Sequence, residues 1–545
     1  MVETGNHNHG GAAPPLPPPP NLAVSRGPTW APVEQLQQLH YCIQSNPRWV
    51  EAVILAFEHY IVTLGTIVLV ANTLVPRMGG DHGDKARVIQ SLLFMSGVNT
   101  LLQTLVGSRL PSVMGASWAF IVPVLSIIND TADGNFSTEH DRFLYIMRTI
   151  QGSLIVSSFI NIILGFSKVW GNLTRFLSPL IIVAYVSVLG LGLFLRGFPM
   201  LANCVEIGLP TLILFVLSQQ YLKQIVPNAD TVLERYSLLL CIGLSWTFAA
   251  ILTVAGAYNN VGEQTKLSCR TDRAYLLTSA PWIKIPYPFQ WGTPIFKASH
   301  IFGMMGATLV SSVESTGAFY AAARLSGATP PPAHVISRSI GLHGLGLLLE
   351  GIIGSAVGTT ASIENIGLFG VTRIGSRRVV QISTGFMIFF SIFGKFGAFF
   401  ASIPLPIFAG IYCVLLGIVV AVGISFTQFV NTNSMRNQYV LGLSLFLGIS
   451  VAEYFVLNTT SDGHGPVKSN AGWFNDILNA IFSSPPTVAV IVGVFLDNTL
   501  EAKKSAAERG VPWWKPFQER KGDARNEEFY SFPIRFAEFI PSRFL

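Results

Sequence analysis

The chain has 545 residues, 50% of them hydrophobic and only 12% charged, with a mean hydropathy of +0.49, whereas a soluble domain carries about 25% charged residues. That composition excludes an ordinary soluble enzyme, a disordered polymer and a collagen-like rod, and leaves a multispanning membrane protein. The formal net charge of +6 does not point to nucleic acid, because the basic residues are scattered through short loops where membrane topology accounts for them.

Residues 1–45 open with a His/Gly stretch and a proline run at Pro14, Pro15 and Pro17 to Pro20. They lack the basic-then-apolar order of a cleavable leader and read as a disordered cytoplasmic tail. Apolar segments follow near 50–75, 88–107, 112–128, 148–166, 178–196, 206–226, 236–257, 298–322, 334–356, 358–371, 377–400, 402–425, 436–457 and 482–498, fourteen in all. They divide into a seven-segment repeat over 46–257 and a second over 298–499. Between them lies an outer loop, 258–297, whose Trp282, Pro286, Tyr287, Pro288 and Trp291 suggest an ordered cap at the interface. The charged tail 500–545 leaves the bilayer. The Lys/Arg bias puts both termini in the cytoplasm; glycosylation sequons at Asn129, Asn135 and Asn458 then fall on outward loops, but one at Asn172 falls inside, so the sequons add little. Of the five cysteines, Cys42, Cys204, Cys241 and Cys413 lie in or beside apolar segments and Cys269 in the long loop, so neither a disulfide nor a metal site is expected.

The third and tenth segments are irregular. Around Gly115-Ala-Ser-Trp-Ala-Phe and Thr359-Thr-Ala-Ser-Ile-Glu-Asn-Ile-Gly, small, polar and β-branched residues stand where an apolar helix would be. Non-helical backbone at that depth survives only when buried in protein or lining a cavity. The two breaks hold corresponding places, about 245 residues apart, and matched breaks of this kind mark a transporter with its site near the midplane. An odd number of segments per repeat makes the repeats inverted. The fold class is therefore an all-α polytopic membrane protein of about fourteen segments, with two short broken strand-helix segments.

Carboxylates inside apolar segments are costly unless partnered, so each is a candidate for function. Glu58 and His59 lie in the first segment, Glu314 in the eighth, Glu350 in the ninth and Glu364 with Asn365 in the tenth. Glu314, among Ser311, Ser312, Ser315 and Thr316, reads as a binding group rather than a helix-packing one. Glu364 and Asn365 start a half-helix, where capping and ligand contact are compatible. Glu350 remains open between a supporting partner, a proton site and a structural ion pair. His59 reads as a packing histidine. Trp118 offers a stacking face. Two carboxylates, an amide and an aromatic face describe a pocket for a flat, N–H-rich ligand. An anion would call for Arg or Lys at depth, and the one basic residue placed well inside a predicted span is Lys395, which tilts the pocket towards neutral heterocycles.

The run Glu364-Asn-Ile-Gly-Leu-Phe-Gly-Val-Thr-Arg373 resembles, position by position, the signature of the nucleobase/ascorbate transporter family: Gln/Glu/Pro, Asn, any residue, Gly, four residues, Thr, then Arg/Lys/Gly. Glu314 in Val-Glu-Ser-Thr-Gly looks like the family's eighth-helix glutamate, Trp118 like its third-segment aromatic, and Glu350-Gly like its ninth-helix acidic pair. The resemblance spans roughly 33 to 535 and is most like plant members. It implies two inverted repeats forming a core domain and a gate domain, homodimers and elevator-type alternating access. It further implies that Glu314 and Glu364 hold the base, that Asn365 organises the hydrogen-bond network, and that Thr372 and Arg373 tune specificity near the cytoplasmic exit. The expected substrate site is Glu314, Glu364, Asn365, Trp118, Ser117 and Ile363, with specificity or gating at Gly367, Thr372 and Arg373. Candidates for proton coupling are Glu364, which is favoured, Glu350, Glu58 and His59. Three departures stand out: Glu58 where the family usually has Gln, Trp118 where it has Phe, and Ala318 where some members titrate.

The expected function is a proton-coupled plasma-membrane importer of xanthine, uric acid or uracil. The alternatives are a sodium- or proton-coupled ascorbate transporter and an anion exchanger or channel of the same architecture. No enzyme activity, nucleic-acid partner, metal or cofactor beyond the coupling ion, H+, is expected. The partners are the small-molecule substrate, the lipid bilayer and a second copy of the chain.

Overall fold

Inside a bilayer, apolar runs satisfy their backbone as helices, and the computed structural model describes residues 36–132, 134–226, 230–272, 280–459, 465–519 and 522–532. The expected tail therefore lies mostly outside the described residues. The longer helices, numbered in chain order, are α1 (Trp49–Met78), α2 (His82–Leu105), α3 (Ile121–Asn129), α4 (Glu139–Phe166), α5 (Pro179–Leu191), α6 (Val205–Val216), α7 (Ser237–Val254) and α8 (Ala298–Leu325). They continue as α9 (Ala333–Ile353), α10 (Ile363–Thr372), α11 (Arg377–Ile392), α12 (Leu405–Ser425), α13 (Met435–Leu457), α14 (Gly472–Phe482) and α15 (Pro485–Thr499). Among the described residues eight helical runs are long and apolar enough to cross a membrane, and the pair α14 and α15, bent by 89°, makes a ninth if it is one span. Helix α14 was not expected from the sequence; it occupies part of the polar stretch before the last apolar segment.

Two three-residue strands break the helical pattern. Strand β1 (Met114–Ala116) pairs antiparallel with β2 (Thr359–Ala361), with Gly115 opposite Thr360. Their backbones are fully buried, and pairing with each other satisfies groups that could not be left bare at that depth. β1 leads through a turn of 3-10 helix, Trp118–Phe120, into α3, and β2 leads into α10. Ser117 accepts a hydrogen bond from the Ala119 N–H at 3.3 Å and Ser362 one from the Asn365 N–H at 3.3 Å. Serine at these positions therefore starts each half-helix.

The helices sort into two packed groups. One joins α4 with α9, α2 and α1 with α11, and α4 with α8; the other joins α5 and α6 with α12 and α13 with α15. Contacts of α10 with α12 and of α8 with α5 link them. The α4–α9 seam is closed by small residues: a Cβ on Gly165 would lie 2.1 Å from the Gly341 nitrogen. Such contacts draw helices together where lipid supplies no hydrophobic drive.

Two expectations are corrected here. Cys204 and Cys269 form a disulfide. The sequence assigned Cys204 to the margin of an apolar segment, but it ends a 3-10 turn, Ala202–Cys204, outside α5 and α6, where it meets a short helix of the long loop, Glu263–Cys269. Although Glu206 lies close to both sulfurs, the sulfurs are bonded to each other. Alkylation of the folded protein should modify Cys204 only after reduction, and Cys204→Ser should lower stability by about 2–4 kcal/mol, read from thermal unfolding with and without reductant. In the same loop Trp291 is buried and its indole N–H donates to the Gly354 carbonyl at 2.8 Å, while Trp282 and Tyr287 are exposed.

Nor does the C-terminal stretch simply leave the helical body. A helix at Val511–Gln518 sets Trp513 flat on Phe429, ring centres 3.6 Å apart. Farther along, Arg338 of α9 donates to the Tyr530 carbonyl at 3.1 Å.

Candidate functional site

The paired strands bring the starts of α3 and α10 to one place, so backbone N–H groups and the positive ends of two half-helices face a common cavity. Its walls include Trp118, Glu314, Thr360, Ser362, Ile363 and Glu364. The bend between α14 and α15 adds Pro485 and Pro486, and the end of α5 adds Leu189, Leu193 and Arg196.

Glu364 is buried. One carboxylate oxygen accepts the Ser362 hydroxyl at 2.9 Å; the other pairs with the Arg196 guanidinium. Arg196 also lies over the Trp118 ring, 4.7 Å from its centre. Glu314 enters from α8 on another wall, within reach of the Ser484 hydroxyl and of the charges on Arg196 and Glu364. Two carboxylates, a guanidinium and an indole thus converge on one cavity.

Around this centre a hydrogen-bonded frame fixes the broken segments. Asn365 points away from the cavity: its amide donates to Thr63 at 2.9 Å and Ser362 at 3.0 Å, and its oxygen meets His59 Nδ1 at 2.9 Å. Asn365 and His59 therefore tie α10 to α1, and the His59 ring packs beside Phe369. Ser117 acts as a cap and is not on the cavity wall. Glu350 accepts from Asn99 at 2.5 Å and from the Thr359 N–H at 2.9 Å, while His343 Nε2 meets the Thr359 carbonyl at 2.6 Å. These contacts anchor β2 from behind. The ion-pair reading of Glu350 is thereby replaced: its partners are an amide and a main-chain N–H.

The remaining candidates lie elsewhere. Glu58 is fully buried and faces the Leu239 backbone of α7, with no side chain closing a hydrogen bond on it among the described residues. Gly367 is where α10 meets α12. Thr372 bonds back to the Leu368 carbonyl at 2.8 Å. Arg373 ends α10 in a left-handed conformation and pairs with Glu234 at 2.9 Å.

The sequence missed Arg196. It closes an apolar run and so resembles a topological end charge, yet the short turn Phe194–Arg196 folds it inward. The premise that Lys395 alone brings basic charge to depth is corrected: Lys395 lies near Trp282 of the outer loop, 5.9 Å from its ring, while Arg196 is at the cavity. A single residue at a segment boundary carried no signal for that turn.

A cavity walled by two broken segments, inside a multi-pass helical body, is the architecture of a membrane transporter. The family model described as a permease family matches residues 50–457. Nucleobase-ascorbate transporter 3 of Arabidopsis thaliana is 67% identical over 551 residues, covering 100% of both chains. Nucleobase-ascorbate transporter 2 of the same plant is 58% identical, covering 94% of this chain and 97% of its own. The chain belongs to the nucleobase-ascorbate transporter family; it is an integral membrane transporter and not an enzyme. Among solved structures, the transmembrane domain of the cyanobacterial bicarbonate transporter BicA gives a TM-score of 0.46 at 13% identity, covering 75% of this chain and 97% of that one. The murine Solute Carrier 26 family member A9 anion transporter gives 0.42 at 12%, covering 85% and 70%.

Proposed function

We propose that the protein imports nucleobases of the xanthine, uric acid or uracil type across the plasma membrane with protons. The observation that carries this is the convergence of Glu314, Glu364 and the Trp118 face on one cavity. Ring N–H groups of a flat heterocycle suit the carboxylates, its carbonyls suit the half-helix N–H groups, and its plane suits the indole. Ser117, Asn365 and Ile363 set the position of those groups. Gly367, Thr372 and Arg373 act on specificity and gating from the far side of α10. Arg196 gives the ascorbate reading its one supporting observation, a cation at the site. Against it, Arg196 is already matched by Glu364, and Glu314 adds a second negative group.

In this reading 46–257 and 298–499 are inverted repeats of seven segments, fourteen in all. The group around α1, α2, α4 and α8–α11 is the core, the group around α5–α7 and α12–α15 the gate, and the core slides as an elevator in a homodimer. Both termini are cytoplasmic and the loop 258–297 is outside. The Cys204–Cys269 bridge supports that orientation, since disulfides persist on the oxidising side of a membrane. The coupling proton is carried by Glu58: Glu364 has a cation beside it and Glu350 holds β2, whereas Glu58 has no charged partner and faces the Leu239 backbone of α7.

Uptake of radiolabelled xanthine, uracil and ascorbate in a transporter-deficient host, with and without a protonophore, tests the reading. Glu314→Gln keeps the shape but removes a charged acceptor, a loss of roughly 1.5–3 kcal/mol. Xanthine binding should weaken at least about tenfold in the correctly delivered variant. Unchanged uptake would remove Glu314 from the site.

A further inference from the structure

Arg196 occupies the two places that a bound base would need. It pairs with Glu364 and lies over Trp118. A guanidinium is planar and delocalised and presents N–H donors in a fixed fork, so a carboxylate and an indole meet in it the chemistry of a flat, N–H-rich heterocycle. It reaches the cavity on a short turn that follows α5 and is bracketed by Gly192 and Gly197. Its two partners sit on the paired broken segments. We infer that Arg196 is a tethered stand-in for the substrate: it fills the empty site, and a base binds by displacing it from Glu364 and Trp118. The inference rests on the reading of this cavity as the substrate site.

Two consequences follow. A site occupied by its own side chain is only fractionally open, and the observed affinity falls by that fraction. Ligands able to make one contact but not both cannot displace the guanidinium, which makes Arg196 a filter for rings that combine an N–H edge with a stacking face. Because Arg196 follows α5 while Glu364 and Trp118 belong to the broken segments, its release on binding also frees a link between the two helix groups.

The test uses the full-length protein purified in detergent, followed by thermal unfolding. In Arg196→Ala, guanidinium chloride at low millimolar concentration should raise the melting temperature saturably, and tetramethylammonium chloride at equal concentration should not. The rise should vanish in Arg196→Ala/Glu364→Gln. Xanthine should stabilise Arg196→Ala at concentrations at least about tenfold lower than it needs with the unaltered protein, and Arg196→Lys, which keeps charge but not the planar fork, should fall between. Arg196→Gln replaces the alanine variant in each arm if the latter does not fold. Absence of a guanidinium effect, or an equal effect in the double variant, overturns the inference. Weaker xanthine binding in Arg196→Ala also overturns it and makes Arg196 a direct ligand of the substrate. If guanidinium acts as expected but xanthine, uracil and ascorbate stabilise neither protein, the tethered occupant stands and the nucleobase reading is what fails.

Discussion

Gly367→Ala is expected to reduce uptake by about a hundredfold or more while leaving a protein that still reaches the membrane. A Cβ built there lies 2.2 Å from the Leu415 carbonyl oxygen, 2.7 Å from its carbon and 2.9 Å from its Cα. All three are backbone atoms of α12, so no side chain can rotate away. The helices must separate by about an ångström, and overpacking of this kind costs about 1–3 kcal/mol. The functional loss is larger than the stability loss because Glu364 is one turn earlier on α10 and shifts with it; at the reacting centre of an enzyme a misplacement of about 1 Å costs on the order of 10²-fold, and a loss of that size is expected here. Xanthine uptake, paired with size-exclusion profiles of the solubilised variant, checks both parts. Uptake at the unaltered rate would mean that α10 and α12 are not in contact during transport.

Glu58→Gln should leave exchange of labelled for unlabelled xanthine across the membrane intact and abolish concentrative uptake. A fully buried carboxylate without a cation cannot carry its charge cheaply, and in the proposed cycle Glu58 moves together with the proton it binds. Glutamine keeps the shape and stays neutral, allowing the movement but not the coupling. The departure at Ala318 fits: alanine cannot titrate, and Glu58 supplies a carboxyl where the resembled pattern has Gln beside the histidine. Accumulation by Glu58→Gln that still collapses with a protonophore would remove Glu58 from the coupling step.

Much of the site was legible because breaks in an apolar pattern are conspicuous. Small and polar residues at 115–120 and 359–367 could not form a lipid-facing helix, and the structure gives a strand and a half-helix at each. The signature from Glu364 to Arg373 singled out α10 without any coordinates. What stayed hidden depended on relations between distant residues. Nothing local specifies that Gly115 faces Thr360, or that Cys204 meets Cys269 across 65 positions. Arg196 illustrates the limit most sharply, since a basic residue after an apolar run normally marks a membrane boundary, and only the turn after α5 makes it part of the cavity. Glu350 and Asn365 were rightly singled out as unusual, but their partners, Asn99 and Thr359 for one, Thr63 and His59 for the other, lie on other elements of the fold.

The returning C-terminal stretch gives the molecule a mechanical property. On one side it holds the second helix group, through Trp513 on Phe429, the Glu508 carbonyl accepting from Asn437 at 3.1 Å, and Arg509 paired with Asp497 at 2.9 Å. On the other it holds the first, through the Phe529 carbonyl accepting from Arg377 at 2.8 Å and Asn526 accepting from Thr329 at 2.8 Å. The strap therefore crosses the seam along which an elevator would travel. In the proposed elevator cycle, sliding of one group past the other would stretch or unseat it on every stroke, so that its length would limit the travel and its grip act as a spring on the resting position. Turnover in that cycle would depend on residues far from the cavity, and shortening the strap would change the speed of the carrier without touching what it recognises.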